Sequence, residues 1–268
     1  MTSSANTYTL DEGVRAELAQ RLWDAEHDVA PIPPLITDHP DMTADDAFEV
    51  QLVNIRRKLD AGAKVAGHKV GLASEAMQQM MGVDEPDYGH LLDTMEYFEN
   101  TPIDSSRFCF PRVEVEVGFI LGDDVEPGSS PEEVVEAIEW VVPSIELIDS
   151  RIRDWKISLP DTIADNASSC GYILGEQRVR LSDLDVAAID ATLYKNGEFL
   201  ASGRSDAVLG NPLNSVGWLA RRVASFGVRL RAGDVILPGT AIRAMDVAPG
   251  DTFRAEFAGL GTVDVEFI

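Results

Sequence analysis

Apolar residues recur at helical spacing in two stretches near the start of the chain. Residues 10–28 repeat leucine or valine every four positions, which is typical of one buried face of an α-helix. A second stretch begins near Thr43, where Asp46 is in a capping-box position and Gly62 follows as a plausible C-cap. The two apolar stripes are Leu10, Val14, Leu18 and Leu22, then Phe48, Leu52, Ile55 and Leu59. They predict an N-terminal helical cap over residues 1–63.

The pattern changes after this cap, and β-strand signals dominate residues 64–268. Residues 65–72 and 112–121 are the clearest strands, and residues 144–149 form another. Asn196-Gly197 lies between two such runs and predicts a hairpin turn. The result is an α+β arrangement, a helical cap joined to a β-rich catalytic domain as one structural unit. Two inserted helices are expected. One is opened by Ser130 and Glu133 and ends before Pro143, and the other follows Asn211-Pro212 and ends before Gly227.

Charge and composition exclude several classes of protein. The formal net charge is −24, which argues against binding to nucleic acid because a polyanion would be repelled. No apolar run approaches the roughly 20 residues of a membrane helix, and the polar N-terminus lacks a signal-peptide core. The expected location is therefore the cytoplasm, with no membrane contact. Cys109 and Cys170 fit no metal or redox motif and are expected to be free, buried thiols.

Two glutamates share one face of the strand 112–121. In Arg112-Val113-Glu114-Val115-Glu116-Val117, alternation puts the valines on one face and Arg112, Glu114 and Glu116 on the other. If that face is solvent, the pattern is ordinary. The apolar continuation to Leu121 suggests instead a strand that is partly buried on both faces. Paired buried carboxylates repel each other and lose hydration, and a divalent cation removes both penalties.

Glu146 raises the case for a metal site, because it lies within an apolar strand with no basic residue for four positions on either side. Three carboxylates without histidine suit a hard ion such as Mg²⁺ or Mn²⁺. The four histidines have no metal-ligand spacing, and we expect three of them at the surface or in loops. Lys69 lies between Gly67 and Gly71, which would let a ligand approach closely. The Lys69 ammonium could neutralise a carboxylate, or it could move a proton if its pKa is lowered. The alternative interpretation is a lysine at the edge of a sheet with no part in the chemistry.

Several long motifs in chain order resemble the 2-keto-4-pentenoate hydratases of the fumarylacetoacetate hydrolase superfamily. The resemblance covers nearly the whole chain from about residue 10. The motifs are GHKVGLAS (67–74), GVDEPDYGHLLD (82–93), PRVEVEVGFILG (111–122), PSIELIDSRIRDWK (143–156), DTIADNAS (161–168) and LGNPLNSVGWLARR (209–222).

This resemblance implies a mixed β-sheet roll of the superfamily's C-terminal type, preceded by helices. It implies Mg²⁺ or Mn²⁺ on Glu114, Glu116 and Glu146. It also implies that Lys69 and Asp87 are catalytic and that Ser168 helps to bind substrate or water, with Arg112 a further candidate for substrate binding. On local sequence alone, Pro86-Asp87-Tyr88-Gly89 predicts a turn and residues 165–168 resemble a helix end.

The function implied is hydration of 2-hydroxypenta-2,4-dienoate to 4-hydroxy-2-oxopentanoate in aromatic or steroid catabolism. Within the family, the alternatives are 4-oxalocrotonate decarboxylase and 2-oxohept-4-ene-1,7-dioate hydratase, whose diacid substrates need a second cation such as Arg243. A further alternative is a non-catalytic partner subunit of a decarboxylase–hydratase complex. The resemblance also implies a homo-oligomer and a possible complex with a homologous decarboxylase. The stretch from Gly239 to Ile242 departs from many relatives, which affects the expected end of the substrate pocket.

Overall fold

The computed structural model describes residues 7–74, 77–79 and 82–268 of the chain. Helices in this part are α1 (Glu12–His27), α2 (Ala44–Asp60), α3 (Pro131–Glu136), α4 (Leu159–Ala164) and α5 (Pro212–Ser225). Strands are β1 (Val65–Gly71), β2 (Asp87–Leu92), β3 (Glu96–Tyr97), β4 (Arg112–Leu121), β5 (Ile138–Ile148), β6 (Ser169–Leu174), β7 (Val179–Arg180), β8 (Asp190–Lys195), β9 (Glu198–Arg204), β10 (Val235–Leu237), β11 (Met245–Asp246), β12 (Thr252–Phe257) and β13 (Gly261–Glu266).

Two sheets carry the fold. The larger has the order β2-β1-β10-β4-β5-β6-β3, with β11 added beside β4 and β7 beside β5. The pairs β1–β10 and β3–β6 are parallel and the other pairs are antiparallel, so the sheet is mixed. The smaller sheet is antiparallel, with the order β13-β12-β8-β9. The predicted α+β fold with a mixed sheet is confirmed.

The N-terminal helices form where the sequence predicts them. Thr43 and Asp46 make the expected capping box of α2, and Gly62 has a left-handed φ of 106° just after that helix. Leu22 and Phe48 pack into the same hydrophobic core as the sheet residues, so the cap and the β-rich body share one core. The division at residue 63 stays a prediction, and residues 1–6 of the proposed cap lie outside the described part.

The helix that follows Ser130 ends before Pro143 as predicted, but the strand expected at residues 144–149 starts earlier. Helix α3 ends at Glu136, and β5 then runs continuously through Pro143 to Ile148. Residues Trp140 and Val141 pair with β7, whereas pairing with β6 starts at Ser144, so Pro143 lies at a break in the outer ladder. A residue without an N–H is tolerated at such a break. The local sequence does not predict this break in the ladder, because the break depends on where β6 and β7 pair with β5, and both strands come later in the chain.

The remaining predictions on local structure have clear outcomes. Asn196 and Gly197 have φ values of 54° and 80° and connect β8 to β9 as the predicted hairpin. Cys109 and Cys170 are free as expected, but both are half-buried. No helix among the described residues is long and apolar enough to cross a membrane.

Candidate metal centre and substrate pocket

The structure brings the three predicted glutamates together at the centre of the larger sheet. Antiparallel pairing of β4 with β5 puts Glu114 directly opposite Glu146, and Glu116 follows two positions later on the same face. One carboxylate oxygen from each residue lies within 4.8 Å of those of the other two. Their exposed fractions are 7%, 1% and 0%, so the cluster is removed from bulk water.

The electrostatics of this cluster favour a cation. Burial raises the pKa of all three carboxyl groups: that of Glu114 to about 7, that of Glu116 well above its ordinary 4.5, and that of Glu146. Glu116 accepts one hydrogen bond, from the Gly239 N–H at 2.7 Å. Its other oxygen and both oxygens of Glu146 have no hydrogen-bond partner among the described residues. Three converging carboxylates with free oxygen atoms fit a hard divalent ion.

Lys69 on β1 approaches this cluster from its side. It is 3% exposed, its Nζ donates to the Ala167 carbonyl at 3.0 Å, and the same nitrogen lies 3.5 Å from Glu146 Oε1. Burial would lower the pKa of Lys69, but the nearby carboxylates, Glu146 foremost, raise it above its ordinary value. Of the two roles expected from sequence, the structure favours a fixed ammonium that neutralises carboxylates.

Asp87 is the first residue of β2, not part of the turn that the local sequence predicts. It pairs with Gly71 on β1, where any added Cβ would collide with the Asp87 carboxylate. Asp87 is 2% exposed, and burial raises its pKa although Lys69 opposes the change. A buried carboxyl group beside an ammonium can hold or transfer a proton near neutral pH.

Ser168 lies at the end of an unusual left-handed turn, not at an ordinary helix end. Helix α4 ends at Ala164, and Asn166, Ala167 and Ser168 then have φ values of 55°, 50° and 58°. Each non-glycine residue in this conformation costs about 1–2 kcal/mol. The Ser168 hydroxyl is buried, 3.3 Å from the Thr162 hydroxyl. Backbone strain of this kind clusters at functional sites, and this segment contacts Lys69 and lines the same pocket as Glu114.

A pocket that is partly open to solvent joins these groups. Its polar lining includes Lys69, Asp87, Glu114 and Ser168, and the rest is largely apolar. Several further lining residues were not predicted from the sequence: Leu72, Ala73, Trp155, Ile157, Thr162 and Thr240. The departure from relatives at Gly239 was a signal for part of this wall, whereas nothing local points to Trp155 or Ile157.

Arg112 and Arg243, the two arginines considered for substrate binding, are not among the residues that line the pocket. Arg112 forms an ion pair with Asp246 at 2.7 Å, and its guanidinium lies 4.3 Å from the ring centre of Trp155. It therefore contacts a pocket wall and not the pocket itself, and its role in binding stays a prediction. Arg243 is exposed.

The expectation that three of the four histidines lie at the surface or in loops is wrong. His68 and His90 are both buried and directly paired across β1 and β2, with ring centres 4.9 Å apart. Burial lowers the pKa of both, that of His90 to about 4, so the rings are neutral near pH 7. Alternation on β1 turns His68 to the face opposite Lys69, away from the metal centre.

Comparisons with known proteins identify the family of this chain. The model of the fumarylacetoacetate (FAA) hydrolase C-terminal family matches residues 92–268. The chain is 42% identical over 254 residues, 94% of each chain, to a 2-keto-4-pentenoate hydratase of Paraburkholderia xenovorans. It is 37% identical to a 2-oxo-hept-4-ene-1,7-dioate hydratase of Escherichia coli, over 96% of this chain and 99% of the relative. A solved 4-oxalocrotonate decarboxylase from Pseudomonas putida G7, complexed with magnesium and adipate, superposes with a TM-score of 0.94 at 36% identity, covering 98% and 100% of the two chains.

Proposed function

The chain belongs to the fumarylacetoacetate hydrolase family, and on that premise we propose that it is a hydro-lyase that converts 2-hydroxypenta-2,4-dienoate to 4-hydroxy-2-oxopentanoate. The observation that carries the proposal is the buried cluster of three glutamates beside Lys69 and Asp87, where Lys69, Asp87 and Glu114 line one largely apolar pocket. Relatives named as 2-keto-4-pentenoate hydratases support the same reaction, and a role in aromatic catabolism is consistent with it.

The proposed cofactor is Mg²⁺ or Mn²⁺ on Glu114, Glu116 and Glu146. Solved relatives complexed with magnesium and with calcium support a divalent cation of this kind. When bound, the metal supplies a Lewis acid that stabilises negative charge on the oxygens of a 2-oxo or 2-hydroxy acid. The unpaired oxygen atoms of Glu116 and Glu146 support this assignment, because a cation would give them the partners that they otherwise lack.

The protein's own groups account for charge and proton movement. The Lys69 ammonium offsets the negative charge of the glutamates and would attract the anionic substrate into a strongly acidic protein. Asp87, with its raised pKa, would give a proton to the substrate carbon C5 or take one from the water that adds at C4. Ser168 and Thr162 offer hydroxyl groups that can orient the substrate or that water.

The pocket favours a monoacid over a diacid. Lys69 is the one cationic side chain among the described lining residues, and it lies beside the glutamates. The other described lining residues, such as Leu72, Trp155 and Ile157, offer no second cation to a second carboxylate that loses its hydration there. This observation supports the five-carbon hydratase over the decarboxylase and the seven-carbon hydratase.

The test is a comparison of substrates on the purified chain. We expect Mg²⁺-dependent loss of the ultraviolet absorbance of 2-hydroxypenta-2,4-dienoate, with kcat/KM at least about tenfold above that for 2-oxohept-4-ene-1,7-dioate. The Glu114→Gln/Glu116→Gln protein should be inactive, which controls for contaminating enzymes. Faster release of CO₂ from 4-oxalocrotonate would instead identify a decarboxylase. Absence of any turnover by the chain alone would favour a non-catalytic partner subunit.

Assembly and location belong to the same proposal. We propose a cytoplasmic homo-oligomer that is able to associate with a homologous decarboxylase. The similarity of the chain to relatives named 4-oxalocrotonate decarboxylase, at 39% and 37% identity, is the reason to test such a decarboxylase as the partner. Light scattering after size-exclusion chromatography, on this chain alone and mixed with such a decarboxylase, measures both parts. A monomer that elutes unchanged from the mixture would contradict them.

A further inference from the structure

The left-handed turn at residues 166–168 is fastened to β2 by one side chain. Asn166 Oδ1 accepts the His90 N–H at 2.8 Å, and Asn166 Nδ2 donates to the His90 carbonyl at 2.9 Å. The approach is so close that a Cβ on Gly89 would collide with the Asn166 carbonyl oxygen. One amide group therefore satisfies both backbone groups of His90 and holds a strained segment against the strand.

A buried ion pair holds the same turn at the neighbouring residue. Arg151 is 4% exposed, and its backbone N–H and Nε donate to the Asp165 carboxylate at 2.9 and 2.5 Å. Its Nη2 donates to the Asp165 carbonyl at 2.7 Å. Asp165 immediately precedes the left-handed residues, so the ion pair and the Asn166 side chain together fix the start of the segment. Backbone that is held this firmly in an unfavourable conformation needs such external contacts.

The pinned turn delivers one backbone group to the metal centre. The Ala167 carbonyl accepts from Lys69 Nζ at 3.0 Å, whereas the nearest Glu146 oxygen lies at 3.5 Å from the same nitrogen. A lysine side chain has four rotatable bonds, and a fixed acceptor limits the positions of its ammonium. The position of the Ala167 carbonyl depends in turn on the clamp between Asn166 and His90.

We infer that Asn166 is a positioning residue, which sets the location of the Lys69 ammonium through the Ala167 carbonyl. The inference rests on the proposed function, because Lys69 takes part in the proposed reaction. Asn166 is not one of the proposed metal ligands. Its side chain contacts the backbone of β2 at His90. Loss of the clamp should displace the ammonium and leave the three glutamates in place, because these are held by the pairing of β4 with β5.

The test uses Asn166→Gly, since glycine keeps the left-handed backbone conformation and removes only the clamp. Acetylation of Lys69 by acetic anhydride, followed by peptide mass spectrometry, should be about fivefold faster or more in the variant than in the wild type. With dienoate and Mg²⁺, kcat should fall about tenfold or more, since small displacements of catalytic groups are costly. The KM and the Kd for Mg²⁺ from calorimetry should each stay within about threefold.

Asn196→Gly is the matched control. Asn196 also has a positive φ, accepts the Thr252 N–H at 2.8 Å and donates to Asp251, but it lies in the β8–β9 hairpin. This control should leave Lys69 labelling and kcat within about twofold of wild type. If Asn166→Gly does not fold, Asn166→Asp is measured against the same criteria, because it keeps the acceptor and loses the donor.

Three results would overturn the inference: unchanged labelling and kcat in the Asn166 variant, equal effects in the Asn196 control, or parallel losses in kcat, KM and Mg²⁺ affinity. The labelling measurement needs no turnover. A wild-type protein that fails to hydrate the dienoate therefore counts against the proposed function, while faster Lys69 labelling in Asn166→Gly still supports the clamp.

Discussion

Burial separates a few acidic residues from the many that this chain carries. Of 46 aspartates and glutamates, most need no explanation beyond solvation. Glu114, Glu116, Glu146 and Asp87 are different because they are all buried around the ammonium of Lys69. Their raised pKa values follow from lost hydration, to which repulsion between carboxylates adds for Glu114 and Glu116, and such groups are candidates for metal binding and proton transfer.

Replacement of Lys69 tests the residue most directly tied to the chemistry. We expect Lys69→Ala to lower kcat by about 10²-fold or more while the protein stays folded, the usual effect of losing an acid–base or charged catalytic group. Steady-state kinetics and circular dichroism measure the two parts. Lys64→Ala is the control, because Lys64 is an exposed lysine just before the same strand. A Lys69 variant within about threefold of wild type would leave the lysine with a structural role only.

The raised pKa of Glu114 predicts how metal-free protein responds to pH. In the folded state this carboxyl group has a pKa of about 7, against an ordinary value of 4.5. The folded state therefore binds more protons than the unfolded state between these values, and the free energy of unfolding falls as pH rises through them. At pH values below the ordinary pKa of 4.5, the contribution of this group to the free energy of unfolding is fully present. Thermal melting of chelated protein from pH 5 to pH 8 should show this decline.

The Glu114→Gln protein provides the comparison. It should have a shallower decline over the same range, because a glutamine at this position has no proton to lose. Asp165, whose pKa burial raises to about 7, contributes in both proteins and cancels in the difference. Identical slopes for the two proteins would mean that Glu114 is ionised in the folded state without metal.

At the scale of elements, the metal centre depends on the register between two strands. Glu114 and Glu146 face each other only in the observed alignment of β4 with β5, since a slip of one residue would turn Glu146 to the opposite face. Neither strand alone holds three ligands. A metal ion at this position would therefore join two strands whose ligand residues are 30 or more positions apart in the chain, and it should stabilise their pairing.

Added Mg²⁺ should raise the stability of the folded protein. At a concentration of one hundred times Kd, a ligand that binds only the folded state adds about 2.7 kcal/mol to the free energy of unfolding. Thermal melting at pH 8, with and without Mg²⁺ and at constant high ionic strength, measures the shift. High ionic strength is needed because a chain with a net charge of −24 gains stability from any cation by screening.

The double variant Glu114→Gln/Glu116→Gln separates binding at this centre from screening. Without metal it should be at least as stable as the wild type, since the repulsion between carboxylates is removed. It should not respond to Mg²⁺. An equal gain by both proteins would show that the effect of Mg²⁺ is general screening and would remove the support for the three-glutamate centre.

For the whole molecule, the negative charge opposes an anionic substrate. Lys69 and a bound cation make the electrostatic potential positive at the site. An incoming acid, however, first meets the negative potential of the entire surface. That field extends about 30 Å at 0.01 M salt and about 8 Å at 0.15 M. We expect kcat/KM for the dienoate to rise about two- to tenfold between these salt concentrations, because screening removes the repulsion.

Steady-state kinetics in sodium chloride at constant Mg²⁺ and pH measure this dependence. The value of kcat at saturating substrate should change little, since the repulsion acts on the encounter and not on the bound state. A kcat/KM that falls with salt would mean instead that the positive groups at the site dominate the long-range field.

The sequence alone determined the local structure of most elements. The alternation in residues 112–121, the capping box at Thr43 and the Asn196-Gly197 turn each predict the structure that forms. These signals are local, because they depend on residues within a few positions along the chain. Chemistry alone made Glu114, Glu116 and Glu146 a candidate cluster and pointed to Lys69, and the family resemblance added Asp87 and Ser168.

Tertiary structure decided everything that depends on distant parts of the chain. It kept Pro143 inside a strand, made Asp87 the start of one, and buried His68 against His90. It also bent residues 166–168 into a left-handed turn that propensity disfavours. In each case the deciding contacts come from segments that are remote in sequence. Local periodicity reports which side of an element is buried, but only the packed structure determines which residues meet there.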